Sequence, residues 1–253
     1  MSKTHLVIPD TQVKPGVPLD HFTALGNFIV EKQPDVIVHC GDHWDMESLS
    51  IYDQGKVGFE GRDYKADIEV GNEAMDLLFA PMRKHNKGRR KKYQPKMYLT
   101  LGNHEDRIDR FRNDADNGRF RNVVTMADFE AHDFKLVPFK KILKLDGLHY
   151  CHYFYAQNSG RPIGGLAQYK LTKLKFSYIM GHQQEMDCAR ESLSNGQVIR
   201  GLMAGCFYQH SEEYRGPQAS GEWRGIHMLH EVNGKGNYDH MEVSLNFLLR
   251  RYL

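Results

Sequence analysis

Short apolar runs recur along the chain, and each breaks off at a turn carrying acids, amides or histidines. Residues 5–9 (HLVIP), 35–40 (DVIVHC) and 97–101 (MYLTL) are three such runs, of a length that predicts buried strands. Between them the period changes. Over residues 19–32, Leu19, Phe22, Leu25, Phe28 and Ile29 share one face of a helix. Over residues 65–80, Ile68, Met75, Leu78 and Phe79 form a second apolar stripe, with Pro81 expected to end or kink that helix. Alternation of strand and helix predicts βαβ units around a parallel sheet. The second half is richer in strands. Residues 134–152 read as strand, turn at Asp146-Gly147, strand, while 166–174 read as a short helix and 178–180 as a short strand. Residues 225–232 and 238–245 flank Asn233-Gly234-Lys235-Gly236, a hairpin signal. The whole predicts an α/β fold with two packed, mixed β-sheets and helices outside, a four-layer α/β/β/α sandwich. We expect a single domain over residues 1–253, with a basic helical insertion around 60–95.

Composition narrows the class. The hydrophobic fraction of 40% and the charged fraction of 26% are ordinary for a folded protein in water. The net charge is only +2, so any affinity for nucleic acid must come from a local patch. The start, MSKTHLVIPD, has no apolar leader region, and no apolar run reaches the roughly 18–20 residues that cross a bilayer. The four cysteines, Cys40, Cys151, Cys188 and Cys206, show no paired metal or redox spacing. Reduced core thiols in a cytoplasmic protein with no membrane partner are the expectation.

The chemistry lies in where the polar residues fall. Asp10 and Gln12 follow the first strand, Asp42 and Asp45 the second (GDHWD), and Asn103 and His104 the third (GNHE). His152 ends LHYCH, and His182 and Gln184 follow YIMG. Taken singly, each group has a plain alternative: an Asp can cap a helix, and a lone His is commonly a satisfied polar residue. As an ordered set, each placed after a strand, they point to a ligand site at the carboxyl ends of a sheet. Oxygen and imidazole donors converging there are what a divalent metal requires.

This order of motifs resembles the calcineurin-like metallophosphoesterases, whose pattern runs Asp-x-His, GDxxD, GN-His-Asp/Glu, a lone His, then GH-x-His. GDHWD and LGNHED carry the resemblance most specifically, and it spans residues 7–184, with the C-terminal hairpin expected to continue the second sheet. The resemblance implies two divalent ions. Asp42 would bridge them; Asn103, His152 and His182 would hold the second, and Asp10 with the residues at 12 and 184 the first. It also implies His104, beside the site rather than a ligand, as general acid or as a stabiliser of a phosphate oxygen, and Asp45 as the group that orients a neighbour. Two positions depart from the pattern: Gln12 and Gln184 stand where the family has histidine. Both fall at the first ion, which makes that site richer in oxygen. Mn²⁺ is therefore the expected ion, with Mg²⁺, Zn²⁺ and Fe²⁺ as alternatives.

The substrate is less legible. Residues 83–92 (RKHNKGRRKK) form a dense basic run, and Arg107, Arg110, Arg112, Arg119 and Arg121 follow. A solvated helix end is one reading; a track for a phosphate backbone is the other. Lys14, His43 and Arg107 are candidate substrate contacts. GDHWD is followed by Met46-Glu47, without the Arg-Gly of the phosphoprotein phosphatases. The expected function is a metal-dependent phosphodiesterase, a DNA nuclease in particular. A phosphomonoesterase or phosphoprotein phosphatase is the alternative, and a non-catalytic metal-binding scaffold the second.

Overall fold

The computed structural model describes residues 2–52, 55, 59–156, 158–211 and 221–253. Its first sheet is built on four parallel strands, β1 (Lys3–Ile8), β2 (Val36–His39), β3 (Lys96–Thr100) and β4 (Lys135–Val137). The second sheet runs β5-β6-β7-β9-β8, from β5 (Leu143–Leu145), β6 (Leu148–Cys151), β7 (Tyr178–Met180), β8 (Met186–Ser192) and β9 (Val198–Ala204). Within it β6, β7 and β9 are parallel and the two edge strands antiparallel. Helices α1 (Asp20–Lys32), α2 (Tyr64–Asn86) and α5 (Leu245–Tyr252) cover the first sheet; α4 (Ala167–Leu174) covers the second, and α3 (Asp106–Asn113) follows the GNHE turn.

Strand alternation explains the layering. In β1, Leu6 and Ile8 point to the helices, where they meet Phe22, Leu25, Phe28 and Leu78; Val7 points between the sheets. In β7, Ile179 joins Val7, Val38, Tyr150 and Leu202 in the inter-sheet layer, while Tyr178 and Met180 turn outward to Leu171 of α4. A strand buried on both faces reads as a continuous apolar run, which is why these strands stand out in the sequence. The result is the mixed α/β, two-sheet sandwich that the pattern predicts.

Two expectations are corrected, and the basic run finds its place. Helix α2 does not stop at Pro81 but continues to Asn86. The missing N–H of a proline removes one helical hydrogen bond, and here its ring is used in packing: a Cβ on Gly26 of α1 would lie 2.8 Å from Pro81 Cγ and 2.4 Å from the Leu78 carbonyl. Two helices approach that closely only over a glycine. The C-terminal hairpin, β10 (Gly225–Val232) and β11 (Asp239–Ser244), joins the first sheet by pairing β10 antiparallel to β1, giving the order β11-β10-β1-β2-β3-β4. Its alternating pattern fits either sheet edge, so the sequence alone does not choose. Lastly, the basic run lies far from the GNHE turn. Tyr93, just past it, donates its hydroxyl to the Pro34 carbonyl at 2.8 Å, and Lys96 N–H donates to the Asp35 carbonyl at 3.0 Å. It thus sits at the amino-terminal edge of β2 and β3, opposite the strand ends that carry the candidate ligands.

Imidazoles are part of the core. His5 of β1 is buried, 2.7 Å from Tyr150 Oη and 3.2 Å from Asp146 Oδ2. Burial lowers its pKa to about 4, although Asp146 pulls the other way. A histidine lowered in the fold takes up a proton on unfolding, so its contribution is complete above about pH 6.5 and is lost as pH falls toward 4. Between pH 7 and 5 the unfolding free energy should fall by about 2 kcal/mol less in His5→Gln than in the parent. Urea titrations at the two pH values measure this; an equal fall in both proteins would show that His5 titrates normally.

Candidate metal centre

The carboxyl ends of both sheets meet at one edge, and backbone hydrogen bonds fasten their loops together. The Gln12 and Val13 amides donate to the Asp42 and His43 carbonyls, each at 2.8 Å, and the Asp45 amide returns to the Val13 carbonyl at 3.0 Å. Across the sheets, the Phe207 amide donates to the Asp10 carbonyl at 2.7 Å, and within the second sheet the Gly181 amide donates to the His152 carbonyl at 3.1 Å. Glu105, which sequence reasoning passes over, fixes the centre of this arrangement. Its fully buried carboxylate accepts from the amides of Gly102 (2.7 Å), Asp42 (3.1 Å), His43 (2.5 Å) and Trp44 (3.2 Å). It therefore sets the GDHWD loop against the GNHE loop. The signal for it was present as the acid that closes GNHE.

The glycine of each motif is required by close approach. A Cβ on Gly102 would lie 2.0 Å from Asp42 Oδ1, one on Gly181 2.1 Å from Asp10 Oδ1, and one on Gly41 2.3 Å from the Thr100 carbonyl. Gln12, Asp42, His182 and Gln184 all have positive φ, between 39° and 70°. Left-handed backbone at non-glycine residues costs on the order of 1 kcal/mol or more each and persists where its surroundings enforce it, characteristically at functional sites.

One group of candidate ligands converges. Donor atoms of Asp42, His152 and His182 all lie within 4.8 Å of one another. His152 Nε2 is 3.2 Å from Asp42 Oδ2 and 2.9 Å from Asn103 Oδ1, so Asn103 completes the group. On its far side His152 Nδ1 donates to the Cys40 carbonyl at 2.9 Å, which turns Nε2 toward the cluster, the orientation a metal-binding imidazole needs. The other group is less assembled. Asp10 is buried behind His152, its Oδ1 3.9 Å from Nδ1, and both its oxygens accept from the His182 amide at 2.9 and 3.0 Å. Gln12 and Gln184 are also buried, and Gln184 Oε1 accepts from the Tyr208 hydroxyl at 3.2 Å.

The electrostatics favour a cation. Burial pushes the Asp10 carboxyl up to about 7, only partly offset by His152. Burial pushes Asp42 the same way, but His104 and His152 outweigh it and hold that carboxyl well below the usual range. His152 in turn is raised to about 10: Asp42 and Asp10 overcome its burial. Burial, reinforced by His152, lowers His182 to about 4 and keeps it neutral. Protons on His152 and His104 thus help to balance the buried Asp42 carboxylate. A divalent cation would balance it better, and the carboxylate, amide and imidazole donors fit one.

The remaining candidates divide. His104 lies at the cluster, its amide donating to Asp42 Oδ1 at 2.9 Å and its Nε2 3.7 Å from Asp42 Oδ2. Its Nδ1 hydrogen-bonds Asp45 Oδ1. Arg107 donates to the Asp45 carbonyl at 2.7 Å and reaches within 3.5 Å of His104 Nε2. Lys14 pairs with Glu47 at 3.0 Å and approaches Asp45 at 3.8 Å. His43 is a correction: it faces away from the cluster, fully buried, with both ring nitrogens used inside the protein. The Gly41 amide donates to His39 Nδ1 (3.1 Å), leaving His39 Nε2–H to donate to Thr11 Oγ1 (3.2 Å). The Thr11 hydroxyl then donates to His43 Nδ1 (2.8 Å), and His43 Nε2–H to the Gly71 carbonyl (3.0 Å). This chain ties the first two loops to α2, and burial lowers His43 to about 4, consistent with a neutral ring.

The sequence profile of the calcineurin-like phosphoesterases matches residues 4–196. No curated protein matches the chain. Several solved structures match; among them, a crystal structure aligns at 13% identity over 96% of this chain and 100% of its own, with a TM-score of 0.43.

Adding Mn²⁺ to chelator-treated protein should raise its melting temperature by several degrees. Asp42→Ala should abolish that rise. Gly181→Ala, which places a methyl group against Asp10 without removing a donor, should reduce that rise. A full metal response in Asp42→Ala would remove that carboxylate from the centre.

Proposed function

The chain belongs to the calcineurin-like phosphoesterase family and is a metal-dependent phosphoester hydrolase; we propose that its substrates are phosphodiesters, nucleic acid in particular. The observation that carries this reading is the Asp45–His104 pair beside Asp42. Asp45 accepts from His104 Nδ1, so the imidazole presents Nε2 to the cluster. Burial disfavours the His104 cation, but Asp42 and Asp45 overcome this and raise its pKa above the ordinary value. A protonated imidazole at that position can protonate the alkoxide that leaves from a diester, typically worth about 10²–10⁴-fold.

Asp10, Asp42, Asn103, His152 and His182 would hold the divalent ions, with Gln12 and Gln184 at the more oxygen-rich position. Ions held there supply Lewis-acid activation of water and charge for the phosphate oxygens. The protein supplies the rest. Arg107, 3.5 Å from His104 Nε2, would offer a guanidinium to a phosphate bound beside that ring. Next to it opens a cavity of about 230 Å³ lined by Tyr52, Arg107, Arg110 and Phe111 among others. Two guanidinium groups with two aromatic rings suit the phosphate and base of a nucleotide on the leaving-group side. The amide oxygens of Gln12 and Gln184 favour Mn²⁺ over zinc.

With Mn²⁺ the protein should hydrolyse bis-p-nitrophenyl phosphate and linear duplex DNA faster than p-nitrophenyl phosphate, and Zn²⁺ should support less turnover. His104→Ala should keep the metal-induced rise in melting temperature yet lose about 10²-fold or more in kcat. Asp45→Asn should lose less and bring the alkaline fall in rate to lower pH, since His104 would release its proton more readily. Turnover of the monoester alone would overturn the diesterase reading.

A further inference from the structure

Among the described residues, those at the end of α2 form a strongly charged surface that the metal centre does not use. Beyond the end of α2, residues 87–92 (KGRRKK) form a loop whose base is pinned. The Asn86 side chain donates to the Tyr93 carbonyl at 2.9 Å and accepts from the Tyr93 amide at 2.8 Å, and Tyr93 is anchored to Pro34. Lys87, Arg89, Arg90, Lys91 and Lys92 are all exposed, and among the described residues none of the five makes an ion pair. Beneath the loop lies a cavity of about 660 Å³, with Phe79, Met82 and Met97 in its floor and Arg83, Lys87 and Lys92 at its rim. Cations in the last turn of a helix offset its dipole, which accounts for Arg83 and Lys84. It does not account for Arg89 to Lys92, which lie past the helix end.

We propose that this loop and rim form a second binding surface for the phosphate backbone of nucleic acid, on the edge of the sheet opposite the metal centre. The proposal rests on the nucleic-acid reading above and adds where a long substrate is held. Two measures give the separation. Seven residues from Lys96 along β3 to Asn103 span about 23 Å at strand rise, and fifteen residues of α2 from Gly71, which contacts His43, to Asn86 span about 22 Å. A duplex covers that distance in roughly six or seven base pairs. Preorganised, unpaired cations suit a repeating anion, since each neutralised phosphate releases counterions. The exposed large apolar residues all lie outside residues 83–96, so the surface has no apolar anchor of the kind that membrane binding adds to charge.

The test is binding of a fluorescent 30-base-pair phosphorothioate duplex with Mn²⁺ present. The parent is compared with R89A/R90A/K91A/K92A and with R89K/R90K, melting temperatures serving as the check on folding. The expected result is at least a tenfold loss of affinity in the quadruple alanine variant at about 0.1 M salt, with retention in the lysine variant. The slope of log affinity against log salt should be shallower by about 2–4 in the alanine variant, near 0.9 for each phosphate no longer neutralised. Equal affinity and slope in a folded alanine variant would overturn the proposal. So would loop-dependent binding to phosphatidylserine vesicles or to poly-glutamate without duplex binding, which would assign the surface to another partner. Hydrolysis of bis-p-nitrophenyl phosphate by the parent separates the two readings. If it occurs while the binding test fails, only the second surface is lost; if it is absent while the loop still binds duplex, the diesterase reading fails instead.

Discussion

Two carboxylates, Asp10 and Asp42, are buried where two sheets meet, and buried charge has to be balanced. This requirement organises the rest of the centre. An isolated carboxylate in an apolar interior would take a proton rather than remain ionised. Here Asp42 is held ionised by His104 and His152, and Asp10 is oriented by the His182 amide. The imidazoles come from one side and the other: His104 from the first sheet, His152 and His182 from the second. The site is thus the join between the sheets, and the inter-sheet core behind it, with Val7, Val38, Tyr150, Ile179 and Leu202, sets its dimensions.

Bringing those loops together imposes backbone conformations that the residues would not choose alone. Four candidate ligand positions have left-handed backbone, and three glycines leave no room for a Cβ. Glu105 offsets that strain by taking four amide hydrogen bonds in one carboxylate. The His39–Thr11–His43–Gly71 chain extends the same support to α2. Rigidity at the site therefore derives from polar groups that touch no substrate.

Much of this was legible in the sequence, for a physical reason. Strands buried on both faces read as apolar runs, so β1, β2, β3, β6 and β7 could be placed, and the polar residues after them read as one edge. What failed to read was polar or non-local. Strand β8 is an edge with alternate residues exposed, and α3 buries only Ile108, so neither gives an apolar pattern. Gly201 in β9 breaks the run because a Cβ there would lie 2.6 Å from Tyr178. The hairpin's choice of sheet depends on pairing with β1, more than two hundred residues away in sequence. His43 looked available because it sits within GDHWD, but its ring turns toward Gly71. Residues 83–92 and the GNHE turn are close in sequence, but β3 lies between them and carries them to opposite edges.

Function follows from that separation of edges. At the carboxyl edge are carboxylate, amide and imidazole groups that could hold cations, the Asp45–His104 pair and two guanidinium groups. At the amino edge is a surface of unpaired cations with no ligand chemistry of its own. Anomalous diffraction from a crystal grown with Mn²⁺ tests the central claim most directly. The account predicts a strong peak in contact with Asp42, Asn103, His152 and His182, and a weaker one between Asp42, Asp10 and Gln12. Manganese bound elsewhere, with no peak at Asp42, would contradict it.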